Sequence, residues 1–290
     1  MTTVGQWVQG ARPRTLPAAL APVLAGTGAA AAAGDVRPGR ALLALVVALA
    51  LQVAVNYAND YSDGIRGTDA QRVGPLRLVG SGVSTPAAVK RAAAVAFAVA
   101  AVAGLVLAAL TTWVLIVVGA VAMLAAWFYT GGSRPYGYRA LGEISVFVFF
   151  GLVATVGTAY VQVERVTGAA AAAGIGCGAL ACALLVANNL RDIPTDSVTG
   201  KRTLAVVLGD RTTRTLYLTL VAVPLVVAVV LAFTGTPWTL LALAAAALAL
   251  RPARIVAGGA VGRDLVPVLR DTGRLQLAYA VLLAIGLALA

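Results

Sequence analysis

The chain has 290 residues, 60% of them hydrophobic and 11% charged, and it contains no histidine. Long uncharged runs place it among polytopic membrane proteins, and the missing histidine excludes a His-ligated metal, a His general base and the usual haem ligand. The formal charge of +11 is topological: basic residues cluster in short segments between apolar runs, which argues for a lipid bilayer as partner and against nucleic acid.

The apolar runs predict an all-α protein of nine membrane spans, near 15–33, 41–58, 87–110, 112–130, 143–163, 169–190, 214–234, 237–253 and 274–290. Many are rich in Ala and Gly, which lets helices approach closely. No cleavable signal pattern precedes the first run. With the N-terminus in the cytoplasm, only Arg37, Arg40 and Arg165 of the 22 basic residues fall outside. That bias supports nine spans with a cytoplasmic N-terminus and an external C-terminus. All but two of the basic residues, Lys90 and Lys201, are arginine; with abundant alanine, the composition is that of a GC-rich bacterial genome. The expectation is one multi-pass domain, 1–290, in a bacterial plasma membrane.

In chain order, the first span follows Ala11-Arg-Pro-Arg-Thr-Leu-Pro17. The second runs directly into Asn56-Tyr-Ala-Asn59-Asp60-Tyr-Ser-Asp63-Gly-Ile-Arg66-Gly-Thr-Asp69. Continued as helix, Asn56, Asn59, Asp60 and Asp63 stand at i, i+3, i+4 and i+7 and share a face. Carboxylates at a helix C-terminus oppose its dipole, and the arrangement becomes favourable when cations bind there. Oxygen-only donors suit Mg²⁺, which takes one or two carboxylates and bridges to a substrate phosphate. The competing reading is a solvated helix end balanced by nearby arginines.

Next comes Gly74-Pro-Leu-Arg77-Leu-Val-Gly80-Ser-Gly82. It reads as a flexible loop, or as a glycine-rich turn presenting backbone N–H groups and Arg77 to phosphate oxygens. The tyrosines of Tyr129-Thr-Gly-Gly-Ser-Arg-Pro-Tyr136-Gly-Tyr138 read as interfacial anchors, or as faces that stabilise a cation or stack on an aromatic ring. Glu143 opens the fifth span, as an N-terminal acidic residue. In the sixth, Gly174-Ile-Gly176-Cys-Gly178 follows no strand and reads as helix packing. Cys177 and Cys182 lie in the same apolar run, as buried free thiols.

The sixth span ends in a second acidic stretch, Asn188-Asn-Leu-Arg191-Asp192-Ile-Pro194-Thr-Asp196, which continues to Gly200-Lys201-Arg202-Thr203. Asn188, Asp192 and Asp196 are spaced four apart, about 6 Å per step on a helix, although Pro194 leaves the helix beyond Asp192 open. Lys201 and Arg202 read as positive-inside residues or as phosphate contacts. Both acidic stretches fall on the cytoplasmic side, which places function on that face and weighs against two incidental solvated ends.

These residues resemble the UbiA superfamily of intramembrane prenyltransferases, and within it the 1,4-dihydroxy-2-naphthoate polyprenyltransferases of menaquinone synthesis. The resembling pieces are Ala11–Pro17, Asn59–Asp69, Gly74–Gly82, Tyr129-Thr-Gly-Gly, Leu141-Gly-Glu143 with its Phe-rich continuation, and Asn188–Asp196 on to Gly200–Thr203; they run from residue 11 to about 210, and the last third is similar in hydropathy alone. The resemblance implies a nine-helix bundle with a cytoplasm-facing cavity, a polyprenyl diphosphate donor and an aromatic acid acceptor. It implies Mg²⁺ held by Asn59, Asp63, Asn188, Asp192 and Asp196, with Asp60 assisting. It places Arg66, Arg77, Lys201 and Arg202 on the diphosphate, and Asn56, Asp69, Tyr129 and Tyr138 toward the acceptor or the allylic cation. The superfamily's first motif often carries another acidic residue four after its second aspartate; here that position is Gly67, and Asp69 lies two beyond. Two rival readings are the same chemistry on 4-hydroxybenzoate or homogentisate, and a cation-coupled transporter. The latter needs a midplane site open to both sides, whereas these acidic groups lie at one face.

Overall fold

The computed structural model describes residues 2–67 and 76–290. Asp69, Arg72 and Gly74 lie outside the described residues.

Short local signals set where each helix begins. Helix α1 (Val4–Gly10) starts on a capping box: Thr3 accepts from Gln6 N, and Gln6 accepts from Thr3 N. Arg12 then takes a left-handed conformation, φ 55°, directly before Pro13, a residue that disfavours the right-handed helical region in its predecessor. The chain bends by 50° there into α2 (Pro17–Ala32). Proline also opens α3 (Pro38–Arg66) and α4 (Pro86–Leu110), where its missing N–H removes no helix bond. Gly67, at φ 71°, closes α3 as a left-handed cap. After α5 (Val114–Phe128) comes α6 (Gly142–Val163), which passes through a π-helical stretch at Phe147–Val153. Thr167 and Thr203 cap α7 (Gly168–Val198) and α8 (Leu204–Thr234). Helices α9 (Pro237–Ala257) and α10 (Val266–Ala288) complete the chain.

All regular elements among the described residues are helices, apart from one isolated bridge between Arg139 and Arg202. Among those residues six helices, α3, α4, α6, α7, α8 and α9, are long and apolar enough to cross a membrane, and the bent α1–α2 pair makes a seventh. The apolar α5 has 15 residues, and α10 carries Arg270, Asp271 and Arg274 in its first turns. Helix α7 settles a point the sequence leaves open, and two other helices differ from the sequence expectation. Helix α7 continues unbroken through Pro194, with the Thr195 hydroxyl donating to Asp192 O at 2.9 Å in the same turn. Helix α8 starts ten residues early and kinks at Gly209, φ 76°. Helix α10 starts at Val266 rather than Arg274.

The main core lies in the C-terminal half, where α2, α7, α8 and α10 enclose Leu180, Tyr217, Tyr279 and Leu283. Glycines bring these backbones together: a Cβ on Gly28 would lie 2.5 Å from Ala284 Cα, and Gly151 backs onto Gly178. Gly176 lies under the Tyr279 ring, so the glycine run of α7 does pack helices. Cys177 and Cys182 are buried and free. In the N-terminal half α3 packs along α4, and α5 rests on both without burying a residue. The looser packing of this half leaves a cavity between it and α6–α7.

Candidate active site

The cavity has a volume of about 1380 Å³ and two unlike ends. Its polar end lies where α3 and α7 finish, joined by the α1–α2 elbow and the loop after α5. Its other end is apolar and runs between α3, α5 and α6.

From α3, Asn56, Asn59 and Asp63 line the cavity, and from α7 so do Asn188, Asp192 and Asp196. The two stretches, 125 or more residues apart in sequence, thus share one chamber. Asp63 is 3% exposed. It receives a hydrogen bond from the Tyr138 hydroxyl and faces Lys201 Nζ at 3.3 Å and an Arg77 guanidinium nitrogen at 3.9 Å. Lys201 also sits 4.8 Å from the centre of the Tyr138 ring. Asp192 is held by its neighbour: Arg191 donates to both carboxylate oxygens, at 2.6 and 2.7 Å, and to Asn188 Oδ1 at 2.9 Å. Thr130 Oγ1 donates to Asn59 Oδ1 at 2.7 Å. Asp196 lies at the cavity mouth, half-buried, its carbonyl accepting from Lys201 N at 3.0 Å.

Arg77, Lys201, Tyr129 and Tyr138 join this wall. Three further candidates point elsewhere. Asp60 is 1% exposed and accepts from Leu78 N at 2.7 Å and Val79 N at 3.1 Å. It fastens the Arg77 segment to α3, and these two backbone N–H groups, expected to face phosphate, are committed to it. The Arg66 guanidinium donates to Thr130 O and Gly132 O and lies over Tyr138, which shapes the tyrosine loop from outside the cavity. The exposed Arg202 pairs through its backbone with Tyr138 and Ala140. Asn56 lines the cavity while its amide donates to Ala11 O at 2.8 Å and Thr15 Oγ1 at 3.0 Å, pinning the elbow to α3.

Several wall residues were not candidates from sequence. Arg191, 4% exposed, had been counted only as a cytoplasmic charge. Arg12 and Arg14 line the chamber from the strained elbow. Gln52 is the lone polar residue of the apolar run 41–55, which was its available signal; it bonds Thr15 Oγ1 at 3.1 Å. Behind the wall, Glu143 is buried, and its Oε1 accepts from the lining residue Asn189 at 2.9 Å; this fixes the start of α6 against α7.

Basic side chains on the polar wall outnumber the carboxylates of Asp63, Asp192 and Asp196, so the chamber favours a multiply charged anion. Among the described residues no three Asp, Glu, Cys or His side chains come together as a self-sufficient metal cage. The donors are two carboxylate stretches plus the carboxamides of Asn59 and Asn188. That set fits a hard cation such as Mg²⁺, which completes its shell with water and ligand phosphate.

The sequence pattern of the UbiA prenyltransferase family matches residues 19–259. The chain is 57% identical to the 1,4-dihydroxy-2-naphthoate octaprenyltransferase of Mycobacterium tuberculosis, over 99% of this chain and 98% of that one. It is 54% identical to the protein of that name from Mycobacterium leprae, over 100% and 98%. A UbiA homologue from Archaeoglobus fulgidus, solved bound to GPP and Mg²⁺, is 13% identical and superposes with a TM-score of 0.69 over 98% of this chain and 100% of that one; this likeness is one of fold. The chain belongs to the UbiA prenyltransferase family.

Proposed function

We propose that this enzyme transfers a polyprenyl group from a polyprenyl diphosphate to 1,4-dihydroxy-2-naphthoate, releasing CO₂ and diphosphate. The observation that carries this reading is the amphipathic cavity. Two acidic stretches, Arg77 and Lys201 meet at its polar end, and an apolar channel leads away. The near full-length relatives in two mycobacteria carry the naphthoate name, which favours that acceptor over 4-hydroxybenzoate or homogentisate. The acidic groups sit at one end of the cavity, which disfavours cation-coupled transport.

In this reading Asn59, Asp63, Asn188, Asp192 and Asp196 hold Mg²⁺, which when bound offsets the charge of the diphosphate and of the departing group. Lys201 and Arg77, now facing Asp63, take diphosphate oxygens. Tyr138 holds the Asp63 carboxylate in place, and Arg191 does the same for Asp192. The bond from the allylic carbon to the diphosphate oxygen breaks, and its electron pair leaves with that oxygen. The apolar wall keeps water from the allylic cation, and the Tyr129 and Tyr138 rings supply π-faces beside it. The ring carbon bearing the carboxylate forms the new carbon–carbon bond. The carboxylate leaves as CO₂, and its bonding pair restores the aromatic ring. The product is the quinol of a demethylmenaquinone. Asp60 and Arg66 support the site by positioning the Arg77 segment and the tyrosine loop.

The same reading includes nine spans, with α5 and α10 crossing beside the apolar seven, as one domain over 1–290. The N-terminus and the polar mouth then face the cytoplasm, and the C-terminus lies outside. The test supplies purified protein and Mg²⁺ with octaprenyl diphosphate and each of the three aromatic acids in turn. Decarboxylated, prenylated product from the naphthoate in clear excess is expected. Faster turnover of 4-hydroxybenzoate or homogentisate would reassign the acceptor, and no product from any would overturn the reading.

A further inference from the structure

The cavity reaches far deeper than a diphosphate and an aromatic ring require. On α3 its wall runs from Asp63 back through Asn59, Val55 and Ala48 to Ala44. That stripe covers roughly 28 Å at about 1.5 Å per residue, close to the ~30 Å thickness of a bilayer's hydrocarbon core. At the far end Ala44, Leu107 and Val161, all buried, form a small apolar cluster of their own. Directly beyond it Arg40 donates to Val161 O at 3.0 Å and to Leu110 O, and pairs with Glu164 at 2.7 Å. One side chain thereby ties the outer ends of α3, α4 and α6 together. The channel has a stapled floor.

Three glycines on its walls, Gly104, Gly119 and Gly157, differ from those of the core. Where Gly26, Gly28, Gly151 and Gly286 sit against neighbouring backbone, a Cβ on any of these three would meet no atom within 4 Å. Helix packing therefore does not require glycine at these places. Gly104 stands within a turn of Leu107 on α4, beside the floor. The other two stand mid-stripe on a lining face: Gly119 lies between Leu115 and Ala122 on α5, and Gly157 between Val153 and Val161 on α6. What their missing side chains preserve is channel width.

We propose that Gly119 and Gly157 set the width, and the Ala44–Leu107–Val161 floor the depth, of a gauge that selects the length of the polyprenyl tail. The inference rests on the reading of this cavity as the donor site and deepens it. A tail short enough to end above these glycines is indifferent to them. A tail that reaches the floor must pass both. Bulk at either glycine therefore penalises long donors selectively, and removing bulk at the floor favours them.

The test compares wild type, Gly119→Leu, Gly157→Leu and Leu107→Ala. Each variant turns over geranyl diphosphate, whose C10 tail ends above both glycines, and octaprenyl diphosphate, with 1,4-dihydroxy-2-naphthoate and Mg²⁺. The quantity read is the ratio of kcat/KM for the long donor to that for the short one. In both leucine variants it is expected to fall by roughly tenfold or more, within the ~10–200-fold range that small changes in apolar pocket size produce. In Leu107→Ala it is expected to rise. A general loss of fold or of metal binding lowers both donors together and leaves the ratio unmoved, so an unmoved ratio in all three variants overturns the gauge. Should one leucine variant fail to fold, the other and Leu107→Ala still decide. Wild-type protein inactive with both donors would overturn the donor-site reading and the gauge with it; active wild type with unmoved ratios would overturn the gauge alone.

Discussion

The two acidic stretches look alike in sequence and are used differently in the structure. Each ends a long apolar helix with an asparagine and aspartates in helical register. On α7 Asp192 has a partner next to it: Arg191 grips its carboxylate from the adjacent position, and Asn188 belongs to the same cluster. On α3 the partners come from afar. Asp63 meets Tyr138, Lys201 and Arg77, and Asp60 meets the backbone at 78 and 79. The α3 stretch thus assembles the site, gathering the segments after α3, α5 and α7 around one carboxylate. The α7 stretch arrives with its charge already organised. A motif tells which chemistry is present; its partners tell which residue performs it and which one holds the others in place.

That contrast is sharpest at Asp63 and Asp192, and substitution there should produce the largest effects. Asp63→Asn and Asp192→Asn each keep size and shape. Each should lower kcat by about 10²-fold or more, the scale of losing one charged group from a transition-state site, with little change in thermal midpoint. Wild-type kcat in either variant would end the equivalence of the two stretches as metal-bearing groups.

Asp60→Asn separates assembly from chemistry. Its carboxylate oxygens accept two backbone N–H groups, the buried one of Leu78 and the part-buried one of Val79, and a carboxamide can accept through one oxygen only. Losing one should cost about 1–3 kcal/mol, seen as a lower thermal midpoint in detergent. The KM for the donor should rise as Arg77 loses its backing, with kcat changed less than in Asp63→Asn. A kcat collapse at unchanged stability would make Asp60 a direct participant.

Arg191→Lys tests the local partnering on α7. A lysine cannot reproduce the two-pronged grip on Asp192, and Mg²⁺ affinity should weaken by about tenfold, the low end of what outer-shell changes cause. Isothermal titration of Mg²⁺ in the presence of inorganic diphosphate measures it. Unchanged affinity would show that Asp192 needs no holder.

The smallest effect belongs to the Arg40–Glu164 staple at the apolar end of the cavity, far from both stretches. Hydrogen bonds from Arg40 and then Arg37 hold the Glu164 carboxyl below its ordinary value of 4.5. A group whose folded pKa is depressed adds stability above its unfolded value and loses it as pH falls through the folded one. The thermal midpoint of wild type should therefore dip slightly more than that of Glu164→Gln as pH is taken below about 4.5. Because Glu164 is exposed the difference should be small, and activity at neutral pH should not register it.

Much of this was legible beforehand. Hydrophobic runs are local, and they marked the helices well; helical spacing put Asn59 and Asp63 on one face, and that face lines the cavity. Where the expectation fell short, partners distant in sequence decided. Asp60 and Asp63 are chemically alike and three residues apart, so nothing local says that one turns to Leu78 and Val79 while the other turns to Lys201. Arg66 has the charge of a phosphate ligand, but the carbonyls of Thr130 and Gly132 claim it. Arg191 was hidden by its neighbours: in a stretch of acidic residues an arginine reads as a topological charge, and only its burial shows otherwise. The early starts of α8 and α10 share a cause. In each, charged residues (Asp210, Arg211 and Arg214; Arg270, Asp271 and Arg274) separate the helix start from the long apolar run, and hydropathy marks the bilayer boundary rather than the helix boundary.

The central claim is that both stretches would bind one diphosphate together with Mg²⁺. The most direct test measures binding of inorganic diphosphate to the purified enzyme, with and without Mg²⁺, in wild type, Asp63→Asn and Asp192→Asn. The account predicts Mg²⁺-dependent binding in wild type and its loss in each variant. Binding indifferent to Mg²⁺, or retained at wild-type strength in either variant, would contradict it.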